Sequence, residues 1–200
     1  TDMDGLEYEL VGVEDATKEI DPAIWTTHEI SAEFAIRSFY SASLSVPDRA
    51  LIEPVLTGVF GYEYQETNGS VHTYQLPSEH RASHLEVFET PMSARGVSGA
   101  GTVHHIAFRA KNSEEQLELR EKVRALGLVP TDVIDRFYFR SVYFQTAAGI
   151  LFEIATDAPG FTADEDEKEL GSHLALPPFL ESQRLDIEAH LVPLRTSNDI

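Results

Sequence analysis

The sequence predicts an α+β chain built from repeated β-α-β-β-β modules that form curved mixed sheets, with a helical tail at the C-terminal end. Three observations predict it. Residues 103–156 read as strand, helix and three strands; residues 36–89 read in the same order; and after Pro159-Gly160 the chain turns acidic with helical spacing.

The second repeat has the clearer signals. Its first strand is expected at 103–109, in the stretch GTVHHIAFRA. The helix at 114–126 starts behind Asn112-Ser113, a capping pair, and stops at Gly127. Leu117, Leu119, Val123 and Leu126 give it an apolar stripe against Glu118, Glu121 and Lys122. Strands follow at 129–134, 138–146 and 150–156, the last two joined by Ala147-Ala148-Gly149 as a tight hairpin. In the first repeat the expected order is a strand at 36–46, a helix at 48–60 behind Pro47, and strands at 62–66, 71–76 and 84–89, with Asn68-Gly69 as a turn. Aligning the last strands sets Glu86 of SHLEVFE against Glu153 of ILFEIAT, and Glu9 of DGLEYELVG echoes both. The expected organisation is an end strand of an incomplete module at 1–13, a linker at 14–35, a complete structural module at 36–90, a linker at 91–101, a second complete module at 102–157 and an acidic tail at 158–200. Two tail helices are predicted, at 165–174 and 178–191, separated by Pro177. Leu180, Leu185, Ile187 and Leu191 suggest that they dock onto the body, and residues 196–200 are expected to fray.

Composition narrows the chemistry. The 200 residues carry 42% hydrophobic side chains, enough for a core, and no apolar run of membrane-spanning length. Without cysteine there is no disulfide, no zinc–thiolate site and no thiol nucleophile. Any metal must be held by His, Asp and Glu. A cytoplasmic location is expected. The formal charge of −19, from 34 acids against 15 bases, argues against a nucleic-acid partner, since phosphate neutralisation needs basic patches. Only four bases are lysines: Lys18, Lys111, Lys122 and Lys168. Two readings fit that balance: a protein that stays soluble in high salt, as in a halophile, and an ordinary acidic protein with an acidic tail.

His104 and His105 stand side by side in the first strand of the second repeat. Successive strand residues point to opposite faces, so only one of the two can reach a given site. The stretches GAGTVHHIAFRA, DRFYFRSVYF, GILFEIATDAPGF, LGSHLALPPFLESQR and IEAHLVPL resemble the vicinal oxygen chelate (glyoxalase/bleomycin resistance/dioxygenase) superfamily. Within it they resemble the ring-cleaving dioxygenases of the hydroquinone-resistance type. The match covers about the last half of the chain; the earlier half matches mainly by element order.

The resemblance implies an assignment. The family's metal-binding His carries over to His105 and its metal-binding Glu to Glu153, leaving His104 to face the other way. Together with a further His they would form a 2-His-1-carboxylate Fe(II) site, with Mn, Zn and Ni as alternative metals. In the family that further His comes from a first module, which this chain is expected to lack along with most of the second. The equivalent strand here offers Phe39 or Tyr40 instead. His28, His72, His80, His84, His173 and His190 are expected to be surface or packing residues.

Tyr143 stands ten residues before Glu153, the spacing at which extradiol dioxygenases place a tyrosine that points at the substrate. It is the expected catalytic residue. Tyr138 and Arg140 are the expected substrate-binding residues, with a solvent-facing Arg140 as the alternative, and Asp135-Arg136 reads as a local ion pair. The expected activity is Fe(II)-dependent extradiol-type cleavage of a catechol or hydroquinone-like aromatic by O2. The expected partners are that small aromatic and O2, with no nucleic acid, no membrane, and a homodimer. Two rivals share the fold. One is a glyoxalase-like metal-dependent isomerase or lyase, which needs a second carboxylate at Glu86 or Glu9. The other is a metal-free protein that binds an aromatic compound.

Overall fold

The computed structural model describes residues 1–3, 5–12, 24, 26–77, 82–91, 97, 99 and 101–192. His80, the frayed end expected at 196–200, half of the linker expected at 14–35 and most of that at 91–101 lie outside the described residues. Two four-stranded mixed sheets carry the fold. The first contains β1 (Ser41–Val46), β2 (Glu63–Asn68), β3 (Val71–Gln75) and β4 (His84–Glu89), in the spatial order β1-β4-β3-β2. The second contains β5 (Ile106–Ala110), β6 (Ile134–Asp135), β7 (Arg140–Gln145) and β8 (Leu151–Thr156), in the order β5-β8-β7-β6. In each sheet the first strand pairs parallel with the last, and the other pairs are antiparallel. The repeat read from the sequence is therefore a repeat of topology.

Between the first two strands of each sheet the modules diverge. The second has α1 (Ser113–Ala125), capped by the Asn112 side chain accepting from Glu115 N at 2.9 Å. The first was expected to have a helix at 48–60. It has a 3₁₀ turn at Arg49–Leu51 and a π-helical turn at Val55–Val59 instead. Pro54 supplies the reason: its nitrogen has no proton to give to the carbonyl one turn back, so the α-helical ladder cannot run through it.

One apolar core joins the two modules. Val46, Leu56, Tyr74 and Val87 from the first meet Val123, Phe144, Phe152 and Ile154 from the second in a continuous buried cluster. Phe60, partly buried against that cluster, stacks on Phe108 with ring centres 3.8 Å apart. The core lies on the helical side of the sheets. Each sheet's other face carries Glu86 or Glu153 together with exposed neighbours such as Ser43 and Ala107.

α1 departs from its expected leucine stripe. Leu117 and Leu126 are exposed, while Gln116, Arg120 and Val123 are buried. The Gln116 amide donates to the carbonyls of Arg140 and Ile154, each at 2.8 Å. Arg120 donates to Thr131 O at 2.7 Å and pairs with Asp132 at 2.5 Å. Those bonds hold residues 131–132 against the helix, and the strand expected at 129–134 shrinks to the two residues of β6.

Other expectations change at the ends of the chain. Residues 5–12 form no strand; they pair with no ladder, and a strand gains its stability only from one. The strand expected from residue 36 begins at Ser41. The tail forms 3₁₀ turns at Phe161–Ala163, Glu167–Glu169 and Pro178–Gln183 and one helix, α2 (Arg184–His190). The helix expected at 165–174 is absent; like charges at Asp164, Glu165, Asp166, Glu167 and Glu169 oppose its formation. Of the four residues expected to dock, Leu185 and Leu191 are exposed at 84% and 51%, whereas Leu180 and Ile187 are half-buried. No helix among them is long and apolar enough to cross a membrane.

Two outcomes test this architecture. Replacing Phe108 by Ala removes the ring on which the two modules meet and should cost about 3–5 kcal/mol in urea unfolding. Glu89 accepts from Arg49 N at 3.0 Å and lies 3.2 Å from His72 Nε2; the first contact, then the second, holds its carboxyl below the ordinary value. Its contribution is therefore present above about pH 4.3 and lost as pH falls through the lower folded value. Glu89→Gln should flatten the stability curve between about pH 5 and pH 3 relative to the parent.

Candidate active site

Glu153 sits in the middle of β8, with Ala107 of β5 opposite on one side and Tyr143 of β7 on the other. Directly opposed residues share a face, so Tyr143 and Glu153 look the same way. His105 lies just before β5, two residues ahead of Ala107, and its ring comes to the same face. Its Nε2 is 2.7 Å from Glu153 Oε2. Ser141, two residues before Tyr143 on β7, donates to Glu153 Oε1. The Tyr143 ring stands edge-on to the His105 ring at 5.6 Å. Glu153 is only 3% exposed, so its charge is compensated by this short set of neighbours.

His104 does not turn away. Its Nδ1 approaches His105 Nδ1 to 2.9 Å, with the rings perpendicular. Both histidines precede the strand, which begins at Ile106, so the alternation that would separate them does not govern them. His105 consequently has one ring nitrogen on a carboxylate and the other on a second imidazole.

Tyr143 is fixed at its backbone. Its N–H donates to Thr131 Oγ1 at 3.0 Å, and its carbonyl accepts from Thr131 N at 2.8 Å. Its hydroxyl meets Arg136: Nη2 is 3.4 Å from the phenol oxygen, and the guanidinium carbon is 5.4 Å from the ring centre. Arg136 is thus the residue that the sequence reading missed. It was expected to pair with Asp135, but the Asp135 carboxylate instead accepts from Phe137 N at 2.8 Å.

Arg140 goes elsewhere. It is three residues from Tyr143, an odd offset that turns it to the helical side, where Nη1 lies 3.5 Å from Ser113 Oγ. It does not join His105, Glu153 and Tyr143. Tyr138 sits in the β6–β7 loop with its hydroxyl on Asp164 at 3.1 Å and its ring against Phe161. Desolvation, and then the bond to Asp164, pushes its phenol above the ordinary value.

The first module repeats the frame without the chemistry. Glu86 pairs in register with Ser43 and Thr73 as Glu153 does with Ala107 and Tyr143. The register therefore makes Ser41 the counterpart of His105, rather than Phe39 or Tyr40. Glu86 accepts from Ser43 Oγ at 2.8 Å. All the other described histidines have partners of their own: His28 near Glu29, His72 between Thr67 and Glu89, His84 stacked on Tyr40, His173 on Ser172 and His190 on Asp186. Among the described residues no three His, Asp or Glu side chains converge on one point.

The donor set nevertheless fits a metal as a two-ligand half-site. An imidazole nitrogen and a carboxylate oxygen, here 2.7 Å apart as a hydrogen-bonded pair, are the two donor types of a 2-His-1-carboxylate site. The nearly buried carboxylate favours a positive charge, and Ser141 and His104 hold the outer atoms of both ligands as outer partners commonly do.

No protein-family model matches the chain. Individual relatives do. The chain is 36% identical over 192 residues to the "Putative ring-cleaving dioxygenase MhqO" of Bacillus subtilis, spanning 96% of this chain and 60% of that protein. It is 30% identical over 200 residues to the chlorohydroquinone/hydroquinone 1,2-dioxygenase of Sphingobium indicum, spanning 98% of this chain and 59% of that protein. A crystal structure of a "putative dioxygenase" from Bacillus subtilis superposes with a TM-score of 0.81 at 37% identity, over 86% of this chain and 55% of that one. A glyoxylase/bleomycin resistance protein/dioxygenase domain from Frankia shares the fold at a TM-score of 0.50 and 15% identity. The chain spans between about half and three fifths of the length of the curated relatives it matches. With its module topology and these similarities, the chain has the fold of the glyoxalase/bleomycin resistance/dioxygenase domains and is homologous to the ring-cleaving dioxygenases named above.

Proposed function

We propose that this chain carries part of the active site of an Fe(II)-dependent extradiol-type dioxygenase that opens the ring of a catechol or hydroquinone-like aromatic. One observation carries the reading: His105 Nε2 and Glu153 Oε2 meet at 2.7 Å on the open face of the sheet, with Tyr143 beside them. The relatives' names support the reaction class. When bound, Fe(II) supplies the Lewis acidity and one-electron chemistry that couple an aromatic diol to O2.

The chain's own residues have separate tasks. His105 and Glu153 hold the metal. Ser141 fixes the Glu153 carboxylate, and His104 shares a proton with His105 across their Nδ1 atoms, which fixes the His105 ring. Tyr143 offers its hydroxyl proton to an oxygen of the diol, and Arg136 adds positive charge beside that hydroxyl where the ionising substrate becomes anionic. No observation favours the isomerase rival, because Glu86 belongs to the other sheet and is bonded to Ser43.

The test is ring-fission absorbance on a panel of catechols and hydroquinones after anaerobic Fe(II) loading. A ring-opened product from at least one diol is expected once a third ligand, from a longer chain or from another chain, completes the half-site. Metal-dependent binding without ring opening of any diol would overturn the proposal in favour of an isomerase, and diol binding that needs no metal would favour the binding protein.

Two variants refine it. Ser141→Ala should weaken metal affinity about 10–100-fold in a chelator competition, since it frees one oxygen of Glu153. Tyr143→Phe should lower kcat about 100-fold or more while leaving metal content unchanged, as expected for a lost proton donor.

A further inference from the structure

Arg136 is carried by a loop that has no regular structure of its own. Residues 136–139 join β6 to β7, and Phe137 within them takes φ +71°, a conformation bulky side chains avoid. Such a residue keeps that geometry only where its surroundings impose it. Within the loop, Arg136 N donates to Phe139 O at 2.9 Å, and Phe137 N donates to Asp135 Oδ1 at 2.8 Å. A further hold comes from the segment after β8. Gly160 N donates to Tyr138 O at 2.8 Å, the Tyr138 hydroxyl donates to Asp164 Oδ2 at 3.1 Å, and Phe161 packs on the Tyr138 ring at 5.4 Å. Thr156, at the end of β8, adds a bond from Arg140 N to its Oγ1 at 3.0 Å.

The guanidinium that this loop presents is, with Arg37 and Arg140, one of three among the described residues without a carboxylate partner. Arg49, Arg109, Arg120, Arg124 and Arg184 each pair with a carboxylate. Among the described residues none pairs with Arg136, whose side chain meets only the Tyr143 phenol. No ion pair holds the cation in place, so its position depends on the backbone beneath it.

We propose that Tyr138 is a positioning residue: clasped by Gly160, Phe161 and Asp164, it lets the segment after β8 hold the 136–139 loop, and with it Arg136, at the Tyr143 hydroxyl. The role rests on the ring-cleavage reading for its consequence but not for its geometry. The acidic turn at the start of the tail is thereby part of the site's support, although none of its residues touches the site.

The experiment uses the full-length protein and two variants, Tyr138→Phe, which keeps the ring and loses the hydroxyl, and Asp164→Ala. Hydrogen exchange of the Arg136 and Phe137 amides should rise in both, with the rest of β7 and β8 unchanged. Steady-state turnover of the best diol should fall about 10-fold in kcat/KM, within the range that coupled neighbours show. In an Arg136→Met background the same changes should cost nothing further, because Tyr138 acts through Arg136. Unchanged exchange at 136–137, a rise spread over the whole sheet, or an equal loss in both backgrounds would each overturn the proposal. If no diol is turned over by the parent protein, the ring-cleavage reading fails by itself, and the exchange measurement alone decides the role of Tyr138.

Discussion

Glu153, in the middle of a four-stranded sheet and only 3% exposed, is nearly cut off from solvent. Glu153 meets that constraint with one hydroxyl, Ser141, and one imidazole, His105, and the rest of the site is arranged around those two contacts. Burial of an ionised group without compensation costs several kcal/mol. The positions that can compensate Glu153 are its same-face neighbours: the residues on β7 and the residue leading into β5. Ser141, Tyr143 and His105 there each have a proton or a lone pair to offer, while Ala107, directly opposed on β5, has none. The chemistry of the site follows from the price of placing an acid there.

The first module shows what the scaffold does when that constraint is relaxed. Glu86 holds the same register position, but it is only half-buried, and Ser43 satisfies it from the neighbouring strand. Its counterparts to His105, Tyr143 and Ser141 are Ser41, Thr73 and Val71. The two sheets are alike in order and direction, and they share one core through Phe60 and Phe108. The same topology thus serves one module as a site and the other as a support.

Much of this was legible in the residues. The apolar alternation of HLEVFE and LFEIAT placed β4 and β8, the Asn112 cap placed α1, and Glu153 with His105 followed from the resemblance. The failures have local causes. Pro54 was passed over as a helix breaker. His104 was judged by strand parity although it precedes the strand. Arg140 is expected at the substrate, yet an odd offset from Tyr143 already sends it to the other face. Arg136 lies seven residues away across a loop, where no periodicity relates side chains, so only the folded chain could bring it to the Tyr143 hydroxyl.

The buried polar stripe of α1 has a consequence for how sharply the fold is defined. A stripe of leucines would pack almost as well after a small rotation or slip of the helix, because apolar contacts are not directional. The Gln116 amide finds the carbonyls of Arg140 and Ile154, and Arg120 finds Thr131, in only one docking of α1 on the sheet. Any other docking would leave a buried amide and a buried guanidinium without partners. The helix therefore acts as a key with a single orientation, and since Arg120 grips Thr131, which grips Tyr143, an error in its seating would be read out directly at the phenol.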